Sequence, residues 1–382
     1  METNKNKEDL LNTNYFFCPN PRCPYSRQFH YDTRWYIKDG FHATKAFGPV
    51  QRYRCKHCGK TFSDQTFSLN YYLKKYTDFT LLLPQLISNN SDCFIGRHND
   101  LSFESVRIRR DRMARNALYF QSTLMEGVKI AEPLAADGFE SYTRSKYYPV
   151  NINILTGADS RFLYYFTESH SRRKGAVSDA QKKRMDYEYL GKDFSGCSTT
   201  AQFESLIGYL AGRCKEEPVV LHTDEHPAYR QALKRLAERA GFPAVSHQLT
   251  SSKEVRDAGN PLASVNYMDM LFRKDIPNHR RRTICHARND RNMLARVALY
   301  MATHNFFKPR SITDKAAQTT ERHCEDLGVS QQKLRFWKEL FSTERFFLSK
   351  VQLPEYFLKV WTRKTETPFG ENWYPLPKFA LQ

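Results

Sequence analysis

Apolar positions recur along this chain with two different periods, and the change from one to the other divides it. Over residues 69–87 they fall at helical spacing, stop at Ser88-Asn89-Asn90-Ser91-Asp92, and resume as a short patch, Cys93-Phe94-Ile95-Gly96. Ser102 is placed to cap a second helix over 103–121. From about Lys129 short β-rich runs alternate with helical ones. Residues 130–136 are strand-like and lead into Asp137. Residues 147–155 and 161–167 are β-rich on either side of the turn Thr156-Gly157-Ala158-Asp159-Ser160. Residues 200–214 read as a helix, 218–224 as a buried parallel-type strand ending on Asp224, 226–240 as a helix, 244–249 as a strand and 265–273 as a further helix.

The remainder is less periodic. Residues 1–14 form a polar tail, 15–68 are rich in cysteine and aromatics, and 169–198 form a basic insertion, loop or partly helical flap, within the β-rich region 129–307. Residues 308–382 are mixed and mostly helical. Lys and Arg number 59 against 41 Asp and Glu, a net charge of +18 that points to a polyanionic partner. The most apolar run, 80–87, is broken by Pro84 and falls far short of the roughly 20 residues a bilayer requires, and residues 1–10 carry no secretory pattern. Nine cysteines without an export signal point to a reducing compartment and away from a disulfide framework.

Three constellations carry chemistry. Cys18-Pro-Asn-Pro-Arg-Cys23 and Cys55-Lys-His-Cys58-Gly59 are two cysteine pairs that a hairpin through Trp35, Tyr36, Phe41 and Phe47 would bring together around structural Zn²⁺, a zinc ribbon. Residues 69–126 have the helix, turn, arginine-rich helix order of a helix-turn-helix DNA-binding module, with Arg107, Arg109, Arg110, Arg112 and Arg115 facing the duplex. The order of three strands, helix, strand, helix, strand, helix over 129–307 predicts an α/β fold of RNase-H-like type, a mixed sheet flanked by helices. Asp137 and Asp224 then converge on neighbouring central strands. Carboxylates that close repel unless divalent metal neutralises them, and paired Mg²⁺ or Mn²⁺ supports phosphoryl transfer. The helix near Val265 offers Asn266 and Asp269, an i, i+3 pair on one face, as the third contribution. His222 and His226 flank Asp224 but read better as polar strand-end and helix-start residues. Arg273, Arg280, Arg281 and Arg282 are either phosphate contacts or a solvated basic face.

Taken together, Arg52-Tyr-Arg-Cys55-Lys-His-Cys58-Gly-Lys-Thr-Phe62-Ser63, Ala136-Asp137-Gly138-Phe139-Glu140, Thr223-Asp224-Glu225-His226-Pro227-Ala228-Tyr229, the block from Asn260 to Asp275, His279-Arg-Arg-Arg-Thr283 and Arg288-Asn289 resemble the DDE transposases of bacterial insertion sequences. The resemblance covers roughly residues 15–305. It implies metal-dependent DNA cleavage and strand transfer at element ends, by a homo-oligomer acting on double-stranded DNA in the bacterial cytoplasm, at the nucleoid, with no membrane. It makes Asp137 and Asp224 the first two catalytic acids. Asn266 falls where the usual Glu stands, in groups that carry Asn there, with Asp269 one turn on. The alternative is a non-catalytic DNA-binding protein, a decayed or domesticated element or a zinc-ribbon regulator. A simple nuclease of the same fold is disfavoured by the two DNA-binding modules ahead of the core.

Overall fold

The computed structural model describes residues 17–26, 33–88, 90–215, 217–251, 253–280, 285–310, 322–373 and 376–381. The polar tail, Arg281 and Arg282 lie outside the described residues. The chain divides into two compact units: one formed by residues 1–82, 338–352 and 376–382, the other by 83–337 and 353–375.

The first unit is built on a three-stranded antiparallel sheet, β1 (Tyr36–Thr44), β2 (Gly48–Cys55) and β3 (Thr61–Ser63). The β1–β2 hairpin is the one expected between the two cysteine pairs. Its register slips between Lys38 and Phe41, at Gly40, whose positive φ of 70° a larger side chain would not tolerate as easily. A small aromatic core holds the unit. Trp35 stacks on Phe62 at 5.5 Å and on Tyr25 at 5.6 Å, while Phe17 meets Phe67 and Phe347 edge-on at 5.0 and 4.8 Å. Residues 69–78 are not helical, unlike the expectation from their apolar spacing. Asn70 clamps both backbone groups of Thr77, donating to its carbonyl and accepting from its amide, so this stretch closes as a loop. The helix that follows, α1, is confined to Phe79–Ile87.

The second unit centres on a five-stranded mixed sheet: β4 (Leu134–Tyr142), β5 (Pro149–Gly157), β6 (Leu163–His170), β7 (Val219–Asp224) and β8 (Val245–Thr250). The spatial order is β6-β5-β4-β7-β8. The first three strands pair antiparallel as a meander, and β4, β7 and β8 run parallel. Strand β6 is buried at every position, so its side chains meet protein on both faces, as its apolar run requires. The sequence stops the first strand at Asp137, but β4 continues to Tyr142 and places Asp137 in its middle.

Helices surround this sheet. Short α2 (Asp92–His98) leads through a turn into the 22-residue α3 (Phe103–Leu124), and both begin on serine caps, Ser91 and Ser102. Helix α4 (Asp179–Tyr189) lies in the basic insertion. Helices α5 (Thr199–Gly208) and α6 (Pro227–Ala237) join through Phe203 and Tyr229, stacked at 4.1 Å. Helix α7 (Ala263–Asp275) packs on β4 and β5, with Phe272 edge-on to Phe139 at 5.6 Å. Helix α8 (Asp290–Ala302) packs along α3. Helix α9 spans Gln331–Leu340, and α10 (Glu355–Thr362) precedes a hairpin of β9 (Lys364–Thr367) and β10 (Gly370–Trp373).

The arginine-rich helix needs correction. Arg109, Arg110 and Arg112 are buried, so they do not present a face to a DNA duplex, and α2 and α3 belong to the same unit as the sheet. Arg110 pairs with Asp92 and donates to Asn292 of α8 at 2.7 Å. Arg296 of α8 also pairs with Asp92 and donates to the Leu86 carbonyl. Asp111 is paired to Arg291 and Arg363. Arg107 and Arg115 are only partly buried. Arg110, Arg291, Arg296 and Arg363 thus hold helices together, whereas Arg107 pairs within α3, with Glu104.

Asp92 sits between two buried guanidinium groups. Burial alone would raise its carboxyl pKa, but Arg110 and Arg296 outweigh it and hold the group below its ordinary value of 3.8. A depressed acid contributes stability above its unfolded pKa, and that contribution disappears as pH falls below about 4. Asp92→Ala should therefore cost about 3–5 kcal/mol at pH 7, because it strands two buried cations. In urea titrations the gap from the unaltered chain should narrow below pH 4. A loss under about 1 kcal/mol at pH 7 would show the pairs to be solvent-screened after all.

Candidate functional site

In the first unit, Cys18, Cys23, Cys55 and Cys58 bring their sulfur atoms within 4.8 Å of one another. Cys18 Sγ lies 3.4 Å from Cys58 Sγ and Cys23 Sγ 3.8 Å from Cys55 Sγ, and all four are free of disulfides. Four thiolates on a tetrahedral ion with bonds of about 2.3 Å would stand about 3.8 Å apart, so the cluster has the spacing to hold a metal. The knuckle at Cys55 is made by backbone geometry: Gly59 takes φ +70° and its amide donates to the Cys55 carbonyl at 3.0 Å. Burial pushes the Cys18 thiol well above its ordinary pKa. At Cys58 burial is outweighed by the Lys60 amide and the Asn20 side chain, which bring that thiol down to about 7. Four sulfurs held this close in a small aromatic core make poor neighbours as thiols and good ones as metal ligands. His57 Nδ1 lies 3.8 Å from Cys23 Sγ, beside the set.

In the second unit the parallel pairing of β4 with β7 sets Leu134 against Leu221 and Ala135 against His222, and continuing along both strands leads to Asp137 and Asp224. The Asp137 carboxylate accepts from the Gly138 amide at 2.7 Å and from the Tyr229 hydroxyl at 3.1 Å. Burial pushes its pKa up and the Asp224 charge adds to that, against the pull of those two donors. Asp224 accepts from the His226 amide at 2.8 Å, and the His226 ring caps α6 by accepting from Ala228. That helix-capping task is the polar role expected of His226.

Helix α7 supplies the third group. Asp269 is pushed up to about 7, by burial first and then by the charge of Asp137, with Arg273 and Arg256 opposing; its Oδ1 is buried with no hydrogen-bond partner among the described residues. Asn266 sits one turn earlier, partly buried, its amide donating to the Leu262 carbonyl within the helix. Charge coupling thus ties Asp269 to Asp137. Among the described residues, the three aspartates do not gather as tightly as the four cysteines. Beyond them, Lys146, Arg173, Lys174, Arg273 and Arg280 border a cavity of about 360 Å³ on which Glu140 and His279 also open.

Sequence reasoning missed one group altogether. Glu168, His170 and Asp290 each place a ligand atom within 4.8 Å of the others, all buried. The available signal was a glutamate and a histidine two residues apart, and so on one face, at the end of a strand that opens with Leu163-Tyr164-Tyr165-Phe166. Among the described residues, no helix is long and apolar enough to cross a membrane.

A raised carboxyl pKa works against the fold as pH rises. Asp269 holds its proton in the folded state up to about pH 7, whereas the unfolded chain releases it near 4. Stability should therefore fall through that window in protein kept free of Mg²⁺ and Mn²⁺. Asp269→Asn, which removes the charge, should match the unaltered chain at pH 4 and exceed it by about 2–4 kcal/mol at pH 8 in urea titrations. Equal stability at both pH values would mean that water reaches the carboxylate freely. No protein-family model matches the chain, and no curated protein sequence matches it.

Proposed function

We propose that the chain is a DNA transposase of an insertion element, with an RNase-H-like catalytic core and a zinc ribbon. The observation that carries this reading is the electrostatic coupling of three aspartates, Asp137 and Asp224 on adjacent central strands and Asp269 on the helix packed against them. The sheet order, a three-strand meander continued by two parallel strands, supports the core assignment.

The residues present fit divalent metal. Asp269 and Asp137 oppose each other's charge, and Asp269 keeps a buried oxygen without a hydrogen-bond partner among the described residues, an arrangement that a cation would relieve. Asp137, Asp224 and Asp269 would hold Mg²⁺ or Mn²⁺, with the Asn266 amide oxygen as a further donor on the same helix. Bound there, the metal supplies Lewis-acid activation of the attacking hydroxyl and charge stabilisation at the leaving oxygen. The protein's own contribution is orientation. Tyr229 and the Gly138 amide fix the Asp137 carboxylate, the His226 amide fixes that of Asp224, and Arg273, one turn beyond Asp269, faces the basic cavity. That cavity suits a phosphodiester backbone. With much of the α3 arginine face buried, sequence-specific grip on element ends is assigned to the first unit. There His42, Lys45, Arg52, Lys60 and Lys74 line a broad cleft with Phe47, Tyr71 and Tyr72.

Strand transfer from a pre-cleaved element-end duplex in Mg²⁺ should fall at least 100-fold in Asp137→Asn, Asp224→Asn and Asp269→Asn, with duplex binding unchanged. Asn266→Ala should cost less than Asp269→Asn; the reverse order would move the third position to Asn266. Binding without cleavage by the unaltered chain would leave the non-catalytic DNA-binding protein as the reading. Cys58→Ser should lose one equivalent of zinc per chain by elemental analysis, and the first unit should melt earlier. Unchanged zinc content would remove the ribbon.

A further inference from the structure

Glu168 and His170 project from the same face of β6, and Asp290 is the first residue of α8, behind its cap Asn289. Each side chain is nearly inaccessible, at 4%, 3% and 5% relative exposure. Neither ring nitrogen of His170 has a hydrogen-bond partner among the described residues, and neither oxygen of Glu168 meets one of full geometry. The buried Tyr356 of α10 stands near enough to Glu168 to favour its charged form, without matching the cost of burial. A carboxylate and an imidazole held this way, Glu168 and His170, are costly, and buried polar groups in folded proteins nearly always find partners.

Protonation explains only part of this arrangement. A neutral Glu168 would relieve the repulsion from Asp290, but an imidazole always carries at least one N–H donor and, when neutral, one lone pair. Both ring positions of His170 would remain unanswered. A divalent cation answers the lone pair of His170 and the charge of Glu168 together, with Asp290 within reach as a further ligand. One imidazole and two carboxylates form a donor set for a first-row divalent ion such as Mn²⁺ or Zn²⁺. Cys197, whose thiol donates to the Glu366 carbonyl at 2.8 Å, stands next to the set and is engaged elsewhere.

We propose that Glu168, His170 and Asp290 form a second metal centre, a buried structural site for one divalent first-row cation that cross-links edge strand β6 to the start of α8. The site is separate from the cysteine cluster and from the three aspartates, and it does not depend on the function proposed above.

The test uses the full chain carrying Asp137→Asn and Asp224→Asn, which weakens ion binding at the aspartates. It is produced in medium supplied with Mn²⁺ and Zn²⁺, desalted, and analysed for metal. Two equivalents per chain are expected, one held by the four cysteines, falling to one when Glu168→Gln or Asp290→Asn is added. X-ray absorption at the metal edges of the parent double variant needs no change within the site. It should resolve a population bound only by oxygen and nitrogen at about 2.1 Å beside the sulfur-bound one. A single equivalent per chain with sulfur ligation alone would overturn the proposal, as would two equivalents retained in a folded Glu168→Gln chain.

Discussion

Repulsion between carboxylates on neighbouring strands is the constraint around which the second unit is organised. The parallel pairing of β4 and β7 is fixed by the burial of Leu134, Ala135 and Leu221, and it leads both strands to an aspartate. Once the hydrophobic register is chosen, the charges cannot separate without slipping a strand and turning its buried face outward. Helix α7 then adds Asp269 beside Asp137. The core thus stabilises an arrangement that burial and charge both oppose.

The arginines of α3 teach the opposite lesson. Along the sequence they look like a solvent-facing cationic stripe, yet Arg110 and Arg296 converge on Asp92, and Arg291 and Arg363 on Asp111. These pairs join α2, α3, α8 and the end of α10 through charges that would be expensive to bury singly. The basic surplus of the chain is therefore smaller at the surface than composition suggests. Basic side chains border both the cavity near Glu140 and the cleft of the first unit.

Legibility followed sequence distance. The cysteine knuckles were readable because metal spacing is local, and the strands because alternation and buried runs are local too. Asp137 and Asp224 were readable because strand order in an alternating α/β pattern has few solutions. The partners of Arg110 and Asp111 on α3 were not, since Asn292, Arg291 and Arg363 meet that helix only in the folded chain. Glu168, His170 and Asp290 were hidden for the same reason, joined by topology rather than by a motif. The loop at 69–78 misled through its apolar spacing, which the side-chain clamp of Asn70 overrides. The hairpin β9–β10 carried too short a pattern to be seen.

The first unit is assembled from three separated stretches, and Phe347 completes the aromatic cluster around Phe17 and Phe67. On a ribosome the knuckles emerge well before Phe347, their packing partner, which follows only after the whole β-sheet has been translated. Until then the aromatic surface stays unfinished, and long-range closure of this kind is slow. The four cysteines could hold an ion using residues 18–58 alone, which would organise that segment before Phe347 arrives.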